Sequence, residues 1–166
     1  MRTLDPRRRS SYRAPRPMIP TVIRSLALPD NGWRPAAKTV GFSPVRKVCP
    51  TAPAYLKMHA VIGGKNRWWM MAAMPKPALR AHLSRPDVRV FISPEVYFEL
   101  NGSHLAYFGV FPAHRNQGIG RCALDQAIIK GARTLTTSSH DSPWALRMYL
   151  DAGFVETSIH TEDWPE

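Results

Sequence analysis

The chain has 166 residues, a formal net charge of +11 and two cysteines, Cys49 and Cys122. Its length suits one domain with a core of ordinary size, and it has no run of 18 or more apolar residues, which excludes a membrane-spanning helix. The cysteines fit neither a disulfide framework nor a metal-ligand spacing, so we expect a reducing, cytoplasmic location and no bound metal.

The positive charge belongs to the first third of the chain. Residues 1–60 hold 12 Lys or Arg and 2 Asp or Glu, a net charge of +10, whereas residues 61–166 hold 11 and 10, a net charge of +1. Residues 1–57 also contain nine of the sixteen prolines and sustain neither a helical nor a strand period. We therefore predict a basic, mostly disordered segment over residues 1–57 and a folded domain over residues 58–166.

Three roles for the basic segment stay open. Its arginines, among them Arg7–Arg9, could bind nucleic acid or acidic lipid. Its richness in Arg and poverty in acids also suit a transit peptide, although the prolines argue against a targeting helix. The third alternative is a segment with no dedicated role, or an upstream extension ahead of a later start such as Met58.

Residues 58–166 predict the element order β-β-β-α-β-α-β. Residues 68–74 are apolar and are expected to pack in the core or to form one wall of a cleft. A short helix follows Pro75, and Asn101-Gly102 signals a tight turn between two antiparallel strands. Strands are predicted at 88–92, 96–100, 104–110, 132–137 and 154–159, and helices at 78–83, 118–131 and 143–152.

The turn at residues 115–120 has the form R-x-x-G-x-G, between an apolar strand and a helix. Glycine can adopt unusual backbone angles and lets a ligand approach closely. The start of a helix also leaves several N–H groups unpaired at the positive end of its dipole. The turn is therefore predicted to bind a phosphate or pyrophosphate. It is neither a dinucleotide fingerprint nor a P-loop.

This turn resembles motif A of the GNAT superfamily of acetyl-CoA-dependent N-acetyltransferases, [RQ]-x-x-G-x-[GA] after a strand. Residues 141–154 resemble motif B, with Ala145, Tyr149, Gly153 and Phe154 in register. The resemblance covers roughly residues 76–160. It implies a GNAT-like mixed α/β sheet, in which an antiparallel meander is followed by β-α-β-α-β, and transfer of an acetyl group to a primary amine by direct attack.

The resemblance also implies the coenzyme-binding residues. A bulge separates the strand before the turn from its neighbour, and the acetyl-pantetheine arm pairs with the exposed edge; Gly109 and Pro112 suit such a break in pairing. The predicted contacts to coenzyme A are Phe108, Gly109, Val110, Arg115, Asn116, Gln117, Gly118, Ile119, Gly120 and Arg121.

Attack of an amine on a thioester needs a proton acceptor, donors for the developing oxyanion and an acid for the leaving thiolate. Tyr149 matches the tyrosine that serves the family as general acid, and a backbone amide near Val110 is the natural oxyanion donor. His104 aligns with a glutamate that some members use as base, and Glu99 on the adjacent strand is the alternative, as is ordered water.

The resemblance leaves both ends of the domain incomplete. Only about thirty residues, from Met58, are available for the helices that should precede Val88, unless part of the basic segment is ordered. Little chain remains after residue 159 for a last strand. The acceptor is expected to be an amine of a small molecule or peptide, and the protein a monomer or homodimer. Two alternatives remain: a non-catalytic acyl-CoA-binding domain, and a protein that binds nucleic acid through residues 1–57.

Overall fold

The computed structural model describes residues 16–166, so Arg7–Arg9 lie outside the described chain. This range forms one sheet, flanked by helices. The strands are β1 (Met18–Ala27), β2 (Arg46–Val48), β3 (Val88–Ile92), β4 (Val96–Asn101), β5 (His104–Val110), β6 (Thr134–Ser138) and β7 (Val155–Pro165). The α-helices are α1 (Ala52–Gly63), α2 (Met70–Ala73), α3 (Lys76–Leu83), α4 (Ile119–Ile129) and α5 (Pro143–Asp151).

The sheet has the strand order β2-β3-β4-β5-β6-β1-β7. Strands β3, β4 and β5 form an antiparallel meander, whose second turn places Gly102 at a φ of 60°. Helix α4 then crosses to β6, which runs parallel to β5, and α5 leads to β7. The predicted fold class, a mixed α/β sheet with an antiparallel meander followed by β-α-β-α-β, is confirmed.

The segment before Met58 differs from the prediction. Residues 18–27 were assigned to a disordered segment, yet they form β1, which pairs antiparallel with both β6 and β7. Burial explains the order, because Ile23 and Leu26 lie in the protein interior and their apolar surface offsets the entropy of ordering. The expected boundary after residue 57 also falls inside α1. Residues 16–57 are therefore part of the fold, and they supply two strands of the sheet, β1 and β2.

Pro20 shows why the strand pattern of β1 was obscured. Proline cannot donate a hydrogen bond to a neighbouring strand, so it argues against a central strand. However, β6 pairs only with Ile23–Ala27, and Pro20 faces β7 alone. The proline thus lies where β1 has one neighbour, and it costs the sheet little.

Each face of the sheet carries its own hydrophobic cluster. Helices α4 and α5 cover one face, where Leu124 and Tyr149 pack with Leu26, Phe98 and Leu135. Helices α1 and α3 cover the other face, and the cluster there includes Tyr55, Ile62, Leu79, Tyr97 and Tyr107. Within residues 16–166, no helix has the length and hydropathy that a membrane span requires.

We predict that Leu26→Ala destabilises the protein by about 2–5 kcal/mol, because the substitution leaves a cavity in a well-packed core. Leu26 is 1% exposed, whereas Met18 on the same strand is 54% exposed. Met18→Ala is the matched control and should change the free energy of unfolding by less than about 0.5 kcal/mol. Urea denaturation followed by tryptophan fluorescence measures both; equal, negligible effects would mean that β1 is not docked.

Candidate active site

Strands β5 and β6 separate soon after they begin, and a cavity of about 420 Å³ opens between them. Their parallel pairing covers only His104 with Thr134 and Leu105 with Leu135. Residues 105–110 line one side of the cavity, and Leu135 and Thr136 line the other. The predicted contacts Phe108, Gly109 and Val110 thus lie along the separated edge of β5.

A β-bulge marks the point of separation. Glu99 of β4 pairs with Tyr107, but the next residue, Leu100, pairs with Leu105, so Ala106 is an extra residue in β5. A bulge bends its strand and increases the local twist. The prediction of a break in pairing is met, but its position near Gly109 and Pro112 was wrong; the extra residue comes three positions before Gly109.

Gly109 has a steric role instead. A Cβ atom at this position would lie 2.1 Å from Cγ2 of Ile62, so the Ile62 side chain would have to move. The absence of a side chain lets α1 pack directly against β5 beside the cavity. The cavity therefore has a wall on the α1 side of the sheet, opposite α4 and α5. This wall is formed by Ile62, Asn66 and Trp68. None of these three was singled out individually in the sequence, although residues 68–74 were expected to supply a core or cleft wall.

The glycine turn closes one end of the cavity. Asn116 and Gly118 adopt left-handed backbone angles, with φ values of 61° and 78°, and α4 begins at the next residue, Ile119. No side chain caps this helix, so its first N–H groups are free to meet an anion. The turn residues that line the cavity are His114, Arg115, Asn116, Gly118, Ile119, Gly120 and Arg121.

Among the predicted contacts, Gln117 turns away from the cavity. Its amide nitrogen donates to the carbonyl of Ala113 at 3.4 Å. His114 lines the cavity in its place and was not predicted. The spacing of the motif therefore located the turn correctly but did not give the direction of each side chain.

Arg115 connects the turn to both strand β5 and helix α1. Its guanidinium donates to the carbonyl of Val110 at 3.0 Å and to the carbonyl of Ile62 at 3.3 Å. The last carbonyls of a helix have no partner within the helix, so a cation is favourable there. Arg115 thus holds the α1 wall against the glycine turn and adds positive charge to this end of the cavity.

A strap, defined here as residues 28–45 between β1 and β2, wraps the outer side of α4. Asp125 on α4 accepts hydrogen bonds from Trp33 Nε1 and from the backbone N–H of Ala36, both at 2.8 Å. Arg121 pairs with Asp125 at 2.6 Å and donates to the carbonyl of Arg34. Arg115 and Arg121, the two arginines predicted near the pyrophosphate, therefore line the cavity and also bond to other residues of the same chain.

Tyr149 reaches the cavity from α5, where it is flanked by Phe108 and Phe154 at ring-centroid distances of 6.5 and 6.3 Å. Burial, with a smaller contribution from Asp141, raises the pKa of its phenol above the ordinary value. The hydroxyl consequently stays protonated at neutral pH and can donate a hydrogen bond into the cavity. Asp141 also lines the cavity, and its Oδ2 accepts from Thr137 and from the N–H of Ser138.

The two candidate bases lie away from the cavity lining. His104 is at the other end of β5, where its Nδ1 is 3.0 Å from Thr134 Oγ1, and burial lowers its pKa. Glu99 is fully buried, and its side chain lies on the face of the sheet that α1 and α3 cover. No cluster of three or more His, Cys, Asp or Glu side chains suited to a metal ion occurs within residues 16–166.

No protein-family model matches the sequence, and no curated protein matches it significantly. Several solved structures resemble it, including the following two. One is the X-ray structure of a Drosophila protein, a structural genomics target, with a TM-score of 0.54 and 14% identity; the match covers 87% of this chain and 50% of that chain. The other is a GCN5-related N-acetyltransferase from Kribbella flavida, with a TM-score of 0.49 and 15% identity, covering 86% and 57%.

The chain therefore spans about half the length of these two structures. At such identities the likeness concerns the fold alone. The elements follow one another in the order that the sequence resemblance implied: the meander, the glycine turn at the start of α4, the parallel strand β6 and helix α5. What this fold does in the present chain is a separate question.

We predict that Asp125→Ala loosens the strap, because Trp33 Nε1 and the N–H of Ala36 lose their acceptor. Each unsatisfied donor costs about 1–3 kcal/mol where it is shielded from water. Trypsin should then cut after Lys38, within the strap, at least tenfold faster than in the wild type.

The control for this variant is Asp151→Ala. Asp151 makes an exposed i,i+4 pair with Arg147 at 3.7 Å, and such pairs contribute little to stability. Its cleavage rate should equal that of the wild type. Unchanged cleavage in Asp125→Ala would show that the strap is held by other contacts.

Proposed function

We propose that the protein is an acetyl-CoA-dependent N-acetyltransferase that moves an acetyl group to a primary amine of a small molecule or peptide. The observation that carries the proposal is the cavity between β5 and β6, with an anion-binding glycine turn at one end and the Tyr149 hydroxyl in its wall. We place the protein in the cytoplasm, in keeping with its two unpaired cysteines.

The cavity has the chemical features that an acyl-CoA needs. Unpaired N–H and C=O groups along the edge of β5 suit the amides of the pantetheine arm, since buried backbone groups require partners. The free N–H groups at the start of α4 suit the pyrophosphate, and Arg115 and Arg121 add positive charge there. Trp144, 73% exposed at the rim of the cavity, offers an apolar surface beside the ligand.

The acceptor amine would enter along the α1 wall, past Ile62, Asn66 and Trp68. A neutral amine then attacks the thioester carbonyl directly, and a backbone N–H near Val110 stabilises the charge on the carbonyl oxygen. Tyr149 stabilises the departing sulfur. Because its pKa is raised while that of a thiol is near 8.5, the hydroxyl acts mainly by donating a hydrogen bond to the thiolate.

We predict that Gly120→Glu abolishes acetyl-CoA binding. A Cβ atom at Gly120 would make ordinary contacts, at 3.6 Å, with Met148 Sδ and Val110 Cγ2, so the fold tolerates a side chain that then projects a carboxylate into the cavity. Gly118 is less suitable, because its φ of 78° strains any other residue. Calorimetry should show affinity at least 100-fold below the wild type.

Gly120→Ala is the matched control for this variant. A methyl group fills little of the cavity, so its affinity for acetyl-CoA should stay within about tenfold of the wild type. A folded wild-type protein that binds no acetyl-CoA would exclude the proposed cosubstrate.

We predict that Tyr149→Phe keeps acetyl-CoA affinity and lowers kcat by about 10–100-fold, the range expected for a lost donor to a leaving group. Release of free thiol, followed across a panel of primary amines, measures kcat. If kcat is unchanged, the phenol has no role in the reaction. Acetyl-CoA binding without thiol release for any amine in the wild type would favour the non-catalytic acyl-CoA-binding alternative.

A further inference from the structure

The amine's proton needs a route out of the cavity, and this question rests on the proposed function. Neither His104 nor Glu99 lines the cavity. Behind the cavity wall, however, four polar side chains form a continuous chain through the α1–α3 face of the sheet. They are His59 of α1, Tyr97 and Glu99 of β4, and His82 of α3.

His59 is the end of this chain nearest the cavity. It lies on the buried face of α1 with Tyr55 and Ile62, at the i, i+4 and i+7 spacing of one helix face. Its ring is 4.3 Å from the ring of Tyr107 and 5.4 Å from that of Trp68, both of which line the cavity. Only one ring nitrogen has a partner: Nε2 is 2.8 Å from the Tyr97 hydroxyl, and the buried Nδ1 has none among the described residues.

The hydrogen bonds favour one tautomer of His59. When the Tyr97 hydroxyl donates to Glu99 Oε2, at 3.4 Å, its oxygen can accept from His59 Nε2–H, at 2.8 Å. A neutral imidazole with a proton on Nε2 carries a bare lone pair on Nδ1. The unpartnered nitrogen is therefore a proton acceptor that is buried with no group to satisfy it.

The electrostatic surroundings keep His59 neutral. Burial, with a smaller contribution from His82, lowers the pKa of His59 to about 4. The titratable groups around the chain are Tyr55 from α1, whose hydroxyl is 2.5 Å from Glu99 Oε2, and Tyr107 from β5. Burial raises the pKa of both phenols, so neither competes as a base. The charged form of His59 is therefore unfavourable, so a protonated His59 readily releases a proton to the next group in the relay.

His82 connects the other end of the chain to solvent. Its Nε2 is 2.9 Å from Glu99 Oε1, and its side chain is 10% exposed at the surface of α3. Glu99 is otherwise enclosed, with no exposed surface of its own. His82 is therefore the point at which a proton on Glu99 can exchange with water.

We propose that His59, Tyr97 and Glu99 relay the proton of the acceptor amine away from the cavity. A pocket water takes the ammonium proton and gives one of its own to His59 Nδ1. His59 releases its Nε2 proton to the Tyr97 oxygen, and Tyr97 releases its original proton to Glu99 Oε2. One N–H bond of the amine breaks, one O–H bond forms on Glu99, and His59 and Tyr97 end with the number of protons they began with.

Two matched variants test the relay. Tyr97→Phe and Tyr55→Phe each remove one phenolic donor to Glu99 Oε2 and keep the ring that packs beside His59, but only the Tyr97 hydroxyl is also hydrogen-bonded to His59. We expect Tyr97→Phe to lower kcat by about tenfold or more at pH 7, within the range of proton-transfer effects. The deficit should shrink as pH rises, because more of the amine is already neutral. Tyr55→Phe should follow the wild-type pH profile within about twofold, and both should bind acetyl-CoA equally.

A deficit in Tyr97→Phe that is the same at every pH, or equal profiles for the two variants, would overturn the relay in favour of a packing role. Nitrogen-15 NMR of histidine-labelled full-length protein gives a readout that needs no activity. His59 should hold a proton on Nε2 and none on Nδ1 between pH 5 and 8. The opposite tautomer, or a charged ring, refutes the relay. The expected tautomer without thiol release for any amine instead refutes the proposed transferase.

Discussion

Strands β5 and β6 share two residue pairs and then part, and the candidate site depends on this separation. An extra residue, Ala106, bends β5 away from its neighbour. The backbone groups exposed by the separation cannot remain unpaired in a protein interior, so the gap is suited to a ligand that carries amides of its own. The glycine turn lies at the end of the same strand, and the uncapped start of α4 places free N–H groups at that end of the gap.

The α1 wall is tied to this gap by two contacts with different physical origins. Ile62 packs where Gly109 has no side chain, and Arg115 extends from the turn to the carbonyl of Ile62, in the last turn of α1. The wall that would meet an acceptor and the turn that would meet a coenzyme are consequently connected to each other. A displacement of α1 would disturb both, because β5 lies between them.

The sequence predicted those features that depend on local pattern. Alternating apolar residues predicted the meander, and the positions of glycines predicted both the turn before α4 and the end of α5. It missed features set by distant partners: the pairing of β1 with β6 and β7, the contact of Arg115 with Ile62, and the bulge at Ala106. At β1 the prolines and arginines led to a wrong prediction of disorder, although the strand carries a short stripe of buried apolar residues. The roles of His104, Glu99 and Tyr149 remain predictions, since position alone does not establish them.

The insertion of β1 between β6 and β7 bears on how the protein reaches its folded state. The first strand of the described chain pairs with the last two, more than a hundred residues away in sequence. Contacts of this range are slow to form, because a long loop must close before any pairing compensates for its entropy. During synthesis β1 leaves the ribosome long before either partner exists. Its apolar residues must then stay exposed until residues 134–165 have also been made, a period in which chaperones or aggregation compete with folding.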